Sequence, residues 1–506
     1  MPETALQPDP RRWKALAFIA VAQLMVVLDA TIVNIALPSA QEDLGISDGN
    51  RQWVITAYAL AFGGLLLFGG RIADLWGRKR TFITGLAGFA AASALGGAAT
   101  GEVMMFGARA LQGVFGALLA PAALSLLAVL FTDGKERAKA FGIYGAIAGA
   151  GGGVGLILGG VLTEYLDWRW TFFVNIPFAV VAILGAMAVI HDPKGSRNRS
   201  TLDIPGVLLA TTGLVALVYG FTRAESNGWT DTLTLVMFVA SVVLLAAFVA
   251  VEARVKNPLL PLRVLLDRNR GGIYLSLGLA VIAMFGVFLF LTYYLQVVKG
   301  YTPVKTGLAF LPMIVGMIIG STQIGARLMT RVQPRLLLVP GFLVGALGML
   351  LLAQIEPGSS YAAVVLPGLI LLGLGLGTAF MPAMSLATFG VEPRDSGVAS
   401  AMVNTSQQVG GAIGTALLNT IAASATTDWI SSHGSEARSL GRQGFENSAA
   451  VHGYSTAIWW AVGILVVSAA IAYALVNARA QGGHEVSGNG TGAGTADEVQ
   501  APVMVH

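Results

Sequence analysis

Residues 14–38 read KALAFIAVAQLMVVLDATIVNIALP. After Lys14 this run holds one charged residue, Asp29. As a helix rising about 1.5 Å per residue it is long enough to cross a hydrocarbon core about 30 Å thick. A barrel strand would instead alternate polar and apolar residues, and no such alternation is present. Arg11, Arg12 and Lys14 precede the run, and Ser39 and Ala40 follow it, as in a secretory leader. The run is too long for a leader core of about 7–15 residues and carries a carboxylate, so it reads as a retained first helix.

Working outward, stretches of the same kind recur at about 52–71, 81–100, 102–127, 138–162, 170–190, 204–222, 231–251, 272–298, 304–327, 336–354, 361–384, 397–422 and 454–477. With the first, that makes fourteen. The chain is 55% hydrophobic and 11% charged, with mean hydropathy +0.72, whereas a soluble domain carries about 25% charged residues. The fold class is therefore an all-α membrane protein. If the N-terminus is cytoplasmic, the short connections on that side collect all Lys and Arg except Arg51, Arg109, Arg169, Arg223, Lys299, Lys305, Arg438 and Arg442. That asymmetry predicts both termini inside. It also reads the net charge of +4 as a topology signal, not a nucleic-acid surface.

Polar connections near 192–203 and 252–271 divide the chain. They predict a six-helix bundle over 11–191, a two-helix insert with flanking linkers over 192–270, a second six-helix bundle over 271–478, and a Gly-rich disordered tail over 479–506. The stretch 423–453 is polar and is expected to be an outer loop. Cysteine is absent, and His191, His433, His452, His484 and His506 are expected in loops or tail, so no metal site is predicted. Nor is there a cluster of catalytic residues in or near the membrane, which argues against an enzyme.

Two charges break the apolar pattern. An ionised carboxylate at a helix centre costs roughly 2.5–3.5 kcal/mol on insertion scales, so Asp29 demands a reason. A carboxyl there can take a proton from one side and release it to the other. Arg109 is the only basic residue well inside a stretch. Asp29 stands nine residues before Pro38, and Arg109 seven after Glu102, which places both roughly 10–13 Å below the outer surface. They are expected to pair, with Asp29 exchanging Arg109 for a proton; a permanent structural ion pair is the plainer alternative.

The fifth stretch carries Gly145, Gly149 and Gly153 on one ridge and Gly151, Gly155 and Gly159 on another, followed by Gly160. Such ridges allow close helix approach. The run contains no complete GxGxxG and follows no strand, so it is not a nucleotide loop. Between the second and third stretches lies Gly70-Arg-Ile-Ala-Asp74-Leu-Trp-Gly77-Arg78-Lys79-Arg80, where the carboxylate suits a latch to a helix N-terminus. A weaker counterpart over Arg327–Arg335 hints at two related halves. Asn34, Gln112, Tyr293, Tyr294, Gln296, Asn404 and Gln408 are candidate cavity-lining residues.

These residues resemble the major facilitator superfamily, specifically its fourteen-helix drug:proton antiporters, from about Lys14 to Asn477. The family's helix 1 pattern resembles Leu28–Pro38, its loop GxLADRxGRK resembles Gly70–Lys79, and its RxxQG resembles Arg109–Gly113. Trp168-Arg-Trp170 with Asn175 and Pro177, Tyr294-Leu-Gln296, and Ser396–Ser400 with Asn404 and Gln408 are similar in order. The resemblance implies two six-helix bundles around a central cavity, alternating access, and an Asp74 latch, with Gly70, Gly77 and Arg78, closing near Ser396 and Gly397. It further implies proton-coupled efflux of small amphipathic drugs or antibiotics across the cytoplasmic membrane, conferring resistance. Such a protein needs no cofactor beyond the proton gradient and functions as a monomer. Export of an endogenous metabolite or lipid on the same fold is the alternative, and a channel a more distant one. One departure stands out: the family's GPxxGG appears as Gly155-Leu156-Ile-Leu-Gly159-Gly160, with Leu156 in place of proline.

Overall fold

The structure, a computed structural model, describes residues 10–131, 134–190, 203–255, 258, 260–329, 331–388, 396–434 and 437–478. Among these there is no strand. The long helices are α1 (Arg12–Leu44), α2 (Trp53–Trp76), α3 (Arg78–Gly97), α4 (Glu102–Leu130), α5 (Gly134–Tyr165), α6 (Asn175–Val189) and α7 (Ile204–Asn227). They continue as α8 (Thr232–Glu252), α9 (Arg268–Tyr293), α10 (Pro303–Ile319), α11 (Arg335–Leu352), α12 (Leu366–Thr388), α13 (Ser396–Ser432) and α14 (Ala437–Leu475). Eleven stretches among the described residues are long and apolar enough to cross a membrane, and α2 adds a shorter apolar one over Trp53–Leu66. The forecast tail over 479–506 and the polar link 191–202 lie outside the described residues.

Two sequence expectations change. Pro38 does not end α1: the helix runs on to Leu44 and closes on Gly45, whose φ of 63° favours glycine, with Ile46 N donating to Gln41 O (3.0 Å). Nor is 423–453 a loop. α13 extends to Ser432 and α14 begins at Ala437, with a break at Gly441 (φ 68°). A polar stretch can continue a helix beyond a membrane, because the backbone bonds stay inside the helix. Here Trp429 stacks on His433 at 4.5 Å and packs on Phe445 at 5.2 Å. His452 consequently lies in α14, not in a loop.

In the first half α4 packs on α2 and α3, α1 on α5 and α6, and α3 on α6. In the second, α9 packs on α13 and α14, and α12 on α10 and α11. The halves meet along α2–α13 and α5–α10, while α7 lies over both α2 and α13 and carries α8. At the end bearing the α1–α2 connection the apolar core is continuous across the halves, uniting Val33, Ile35 and Leu37 with Phe290, Tyr293 and Leu295. Toward the other end the first half keeps its own core around Phe82, Phe89 and Phe131. The molecule is thus sealed at its α1–α2 end.

Candidate functional site

Asp29 and Arg109 are brought together in the interior of the first half, fully buried. Arg109 Nη1 donates to Asp29 Oδ2 at 2.7 Å. The other carboxylate oxygen accepts from Gln112 Nε2 (2.8 Å) and Asn175 Nδ2 (2.9 Å). Arg109 and Gln112 are three apart, so they share one face of α4, and Gln112 Oε1 accepts a second bond from Arg109 Nη1 at 2.9 Å. Ser93 on α3 backs both amides, accepting from Gln112 at 2.6 Å and Asn175 at 3.2 Å. Arg109 Nε donates to the carbonyl of Val54 on α2 (2.8 Å), and its guanidinium lies 4.4 Å over the Tyr58 ring. A buried carboxylate held by three donors from α4 and α6 is satisfied while ionised, but depends on every one of them. Sequence reading found the ion pair and missed Ser93 and Asn175 as its supports. Asn175 opens α6 directly after the short turn Trp170–Phe173, and its side chain is buried within the network.

Of the residues expected to line a cavity, Gln112 belongs to this network. Tyr293 and Gln296 instead close the seam at the α1–α2 end. The Tyr293 hydroxyl donates to Gln41 Oε1, and Gln296 Nε2 donates to Ile35 O at 3.0 Å. Tyr294 is turned away, donating to Glu356 O at 2.8 Å. Asn34 donates to Ala30 O in its own helix (2.9 Å), and its side-chain oxygen is buried without a partner among the described residues. Asn404 is half-buried on α13. The same seam is tied by Thr56 to Thr415 (2.6 Å) and by Asn419 Nδ2 donating to Gln52 Oε1 (2.9 Å). Arg51 sits here too, buried, 4.1 Å over the Tyr293 ring and 5.9 Å from that of Tyr454. The sequence placed it in an outer loop and gave no sign of this role.

A chamber of about 40 Å³ lies between the halves, lined by Ala30, Val33, Tyr58 and Arg109 from one and Phe285 and Gln408 from the other. The two glycine faces of α5 have different neighbours. A methyl group on Gly159 would lie 3.0 Å from the Ile32 carbonyl of α1, and one on Gly160 would lie 2.7 Å from Val304 Cα of α10. Leu156, which stands where the family pattern has proline, is buried, and its carbonyl closes on Gly307 of α10. The surroundings of Gly145 and Gly149 lie outside the described set. In the predicted latch, a methyl group on Gly70 would lie 3.6 Å from Pro121 Cβ, and Gly77 makes the α2–α3 junction at φ 107°, a conformation that favours glycine. Arg78 opens α3. The side chains of Asp74 and Ser396 lie outside the described set.

A family model described as Major Facilitator Superfamily matches residues 19–415. Among similar proteins, the puromycin resistance protein of Streptomyces alboniger is 53% identical over 480 residues, covering 94% of each chain. The cephamycin export protein of Amycolatopsis lactamdurans is 39% identical, covering 82% of this chain and 85% of its own length. The tetracenomycin C resistance and export protein of Streptomyces glaucescens is 34% identical, covering 87% and 81%. Among solved structures, a bacterial homolog of the human lysosomal transporter Spinster, inward-facing and unoccupied, superimposes with a TM-score of 0.65 at 15% identity, covering 92% of this chain and 97% of its own. At that identity the likeness concerns the fold alone.

Proposed function

Because the chain belongs to the Major Facilitator Superfamily and is a multi-pass membrane transporter, not an enzyme, we propose that it exports small amphipathic antibiotics across the cytoplasmic membrane in exchange for protons. Puromycin is the first substrate to test, given the name of the 53% identical relative. The observation that carries the coupling is the buried Asp29–Arg109 pair, whose arginine also lines the chamber between the halves.

Separating two buried charges leaves each uncompensated, a cost of about 3–5 kcal/mol when one partner is removed. A proton on Asp29 cancels the charge that holds Arg109 and so frees the guanidinium without stranding an ionised carboxylate. In this reading both termini face the cytoplasm, by the distribution of Lys and Arg, and the sealed α1–α2 end faces outside. Asp29 is loaded from outside, Arg109 and substrate are released, and the proton leaves inward. One proton supplies roughly 2.3 kcal/mol per 100 mV plus about 1.4 kcal/mol per pH unit. No cofactor is needed, and each monomer contains a complete site. One-for-one exchange with a monovalent cation cancels the electrical part, so neutral or weakly cationic substrates are favoured.

The test is puromycin uptake into everted vesicles under an imposed pH gradient. Wild type is expected to accumulate puromycin, and Asp29→Asn, inserted at equal level, to lose uphill uptake entirely. Uphill uptake retained by Asp29→Asn would overturn the assignment.

A further inference from the structure

Arg109 is a donor with one arm unused. Its bonds to Val54, Asp29 and Gln112 engage Nε and Nη1, and none among the described residues engages Nη2. Arg109 nevertheless lines the small chamber between the halves, whereas the equally buried Asp29 does not. Opposite stands Gln408 of α13, whose side-chain amide makes no hydrogen bond among the described residues and whose Cβ presses on α2 at Gly63. The rings of Tyr58 and Phe285, with Ala30 and Val33, form the remaining walls. At about 40 Å³ the space takes a few waters or a single protruding group, since one water needs at least about 10–15 Å³.

We propose that this chamber is an acceptor subsite, in which one uncharged oxygen of the exported molecule, a carbonyl, ether or hydroxyl, accepts from Arg109 Nη2 and meets the amide of Gln408. The inference rests on the export reading above and extends it to the chemistry of the substrate. A donor-only cationic group is excluded here, because it would face a guanidinium at close range and its repulsion would grow once Asp29 is protonated. An oxygen is favoured in both protonation states. Since Arg109 belongs to the first half and Gln408 to the second, an occupied subsite also ties the halves at the level of the proton site. Substrate is thereby sensed by the residue that holds Asp29, and water occupies the place when substrate is absent.

The test is equilibrium binding of puromycin, whose ether, hydroxyl and amide oxygens supply acceptors, to the full-length protein in nanodiscs. Gln408→Leu is expected to weaken binding roughly tenfold, by leaving a buried acceptor contact unmade. Gln408→Asn, which keeps the amide, should lose less. Asp29→Asn should still bind puromycin while failing in vesicle uptake. Unchanged affinity in Gln408→Leu, or no puromycin binding by wild type, overturns the subsite. The export reading is decided separately by vesicle uptake. If Gln408→Leu does not reach the membrane, Phe285→Ala replaces it; at least threefold weaker binding is expected, and wild-type affinity overturns the proposal.

Discussion

Two buried arginines show how the same side chain is held for opposite purposes. Arg109 lies within one half and is answered by a carboxylate as buried as itself. Arg51 lies on the seam between halves. Among the described residues its carboxylate partner is Asp48 at 3.3 Å, 82% exposed, and the guanidinium otherwise meets the rings of Tyr293 and Tyr454 and the Asn419 oxygen at 3.4 Å. A cation over aromatic rings gains about 0.5–2 kcal/mol, well below the cost of breaking a buried ion pair. The contrast teaches which contacts a moving transporter can release by simply parting its halves and, in the proton-exchange function proposed above, which need a proton first.

The largest effect expected is on Arg109. Arg109→Ala strands a buried carboxylate and should lower unfolding stability by about 3–5 kcal/mol, read as a thermal shift of the purified protein. Adding Asp29→Asn should restore much of that loss. A fully additive double variant would show that the pair is not coupled.

The seam is sharpened by trapping it. The chain has no cysteine, so Thr56→Cys with Thr415→Cys introduces one unique pair where the hydroxyls stand 2.6 Å apart. Oxidation should stop puromycin uptake in everted vesicles and reduction should restore it, while either single variant stays active. Arg51→Ala, by contrast, should leave the fold intact and slow crosslinking several-fold, because the sealed state is less populated. Unchanged crosslinking would remove Arg51 from the gate.

Packing between α1 and α5 gives a smaller test. A side chain at Gly155 would collide with the Thr31 hydroxyl, so Gly155→Leu should cost about 1–3 kcal/mol through overpacking, and Gly155→Ala less. The smallest effect is expected far from both arginines, at Asp231 ahead of α8. The backbone N–H of Thr234, together with Arg223, holds its carboxyl below the ordinary range. That contribution is present at neutral pH and disappears as the pH falls through the lowered value. The thermal shift of Asp231→Ala against wild type should therefore shrink on acidification.

Much of the first half's site was legible because each charge inside an apolar run is an exception that asks for a partner. Asp29 and Arg109 stood out on that ground, and Gln112 followed by lying three residues from Arg109. Ser93 and Asn175 did not, since a single hydroxyl or amide in an apolar run is cheap enough to be unremarkable. Arg51 was misplaced for a related reason. Outside an apolar stretch a charge needs no explanation, and only the packing of α13 on α2, with Tyr293 of α9 and Tyr454 of α14 against the guanidinium, reveals that it is buried. Tyr293 and Gln296 look alike as cavity or seam residues until Gln41 and Ile35 are seen opposite them.

By itself the sequence determined that this chain lives in a bilayer as bundled helices, because hydrocarbon accepts only segments whose backbone bonds close internally, and that two opposite charges had to meet within it. The tertiary structure decided which neutral groups complete that pair, which face of α5 meets α1 and which meets α10, and which end of the molecule is sealed. Those choices depend on distances between helices far apart in the chain, and hydropathy, which sums residues one stretch at a time, carries no record of them.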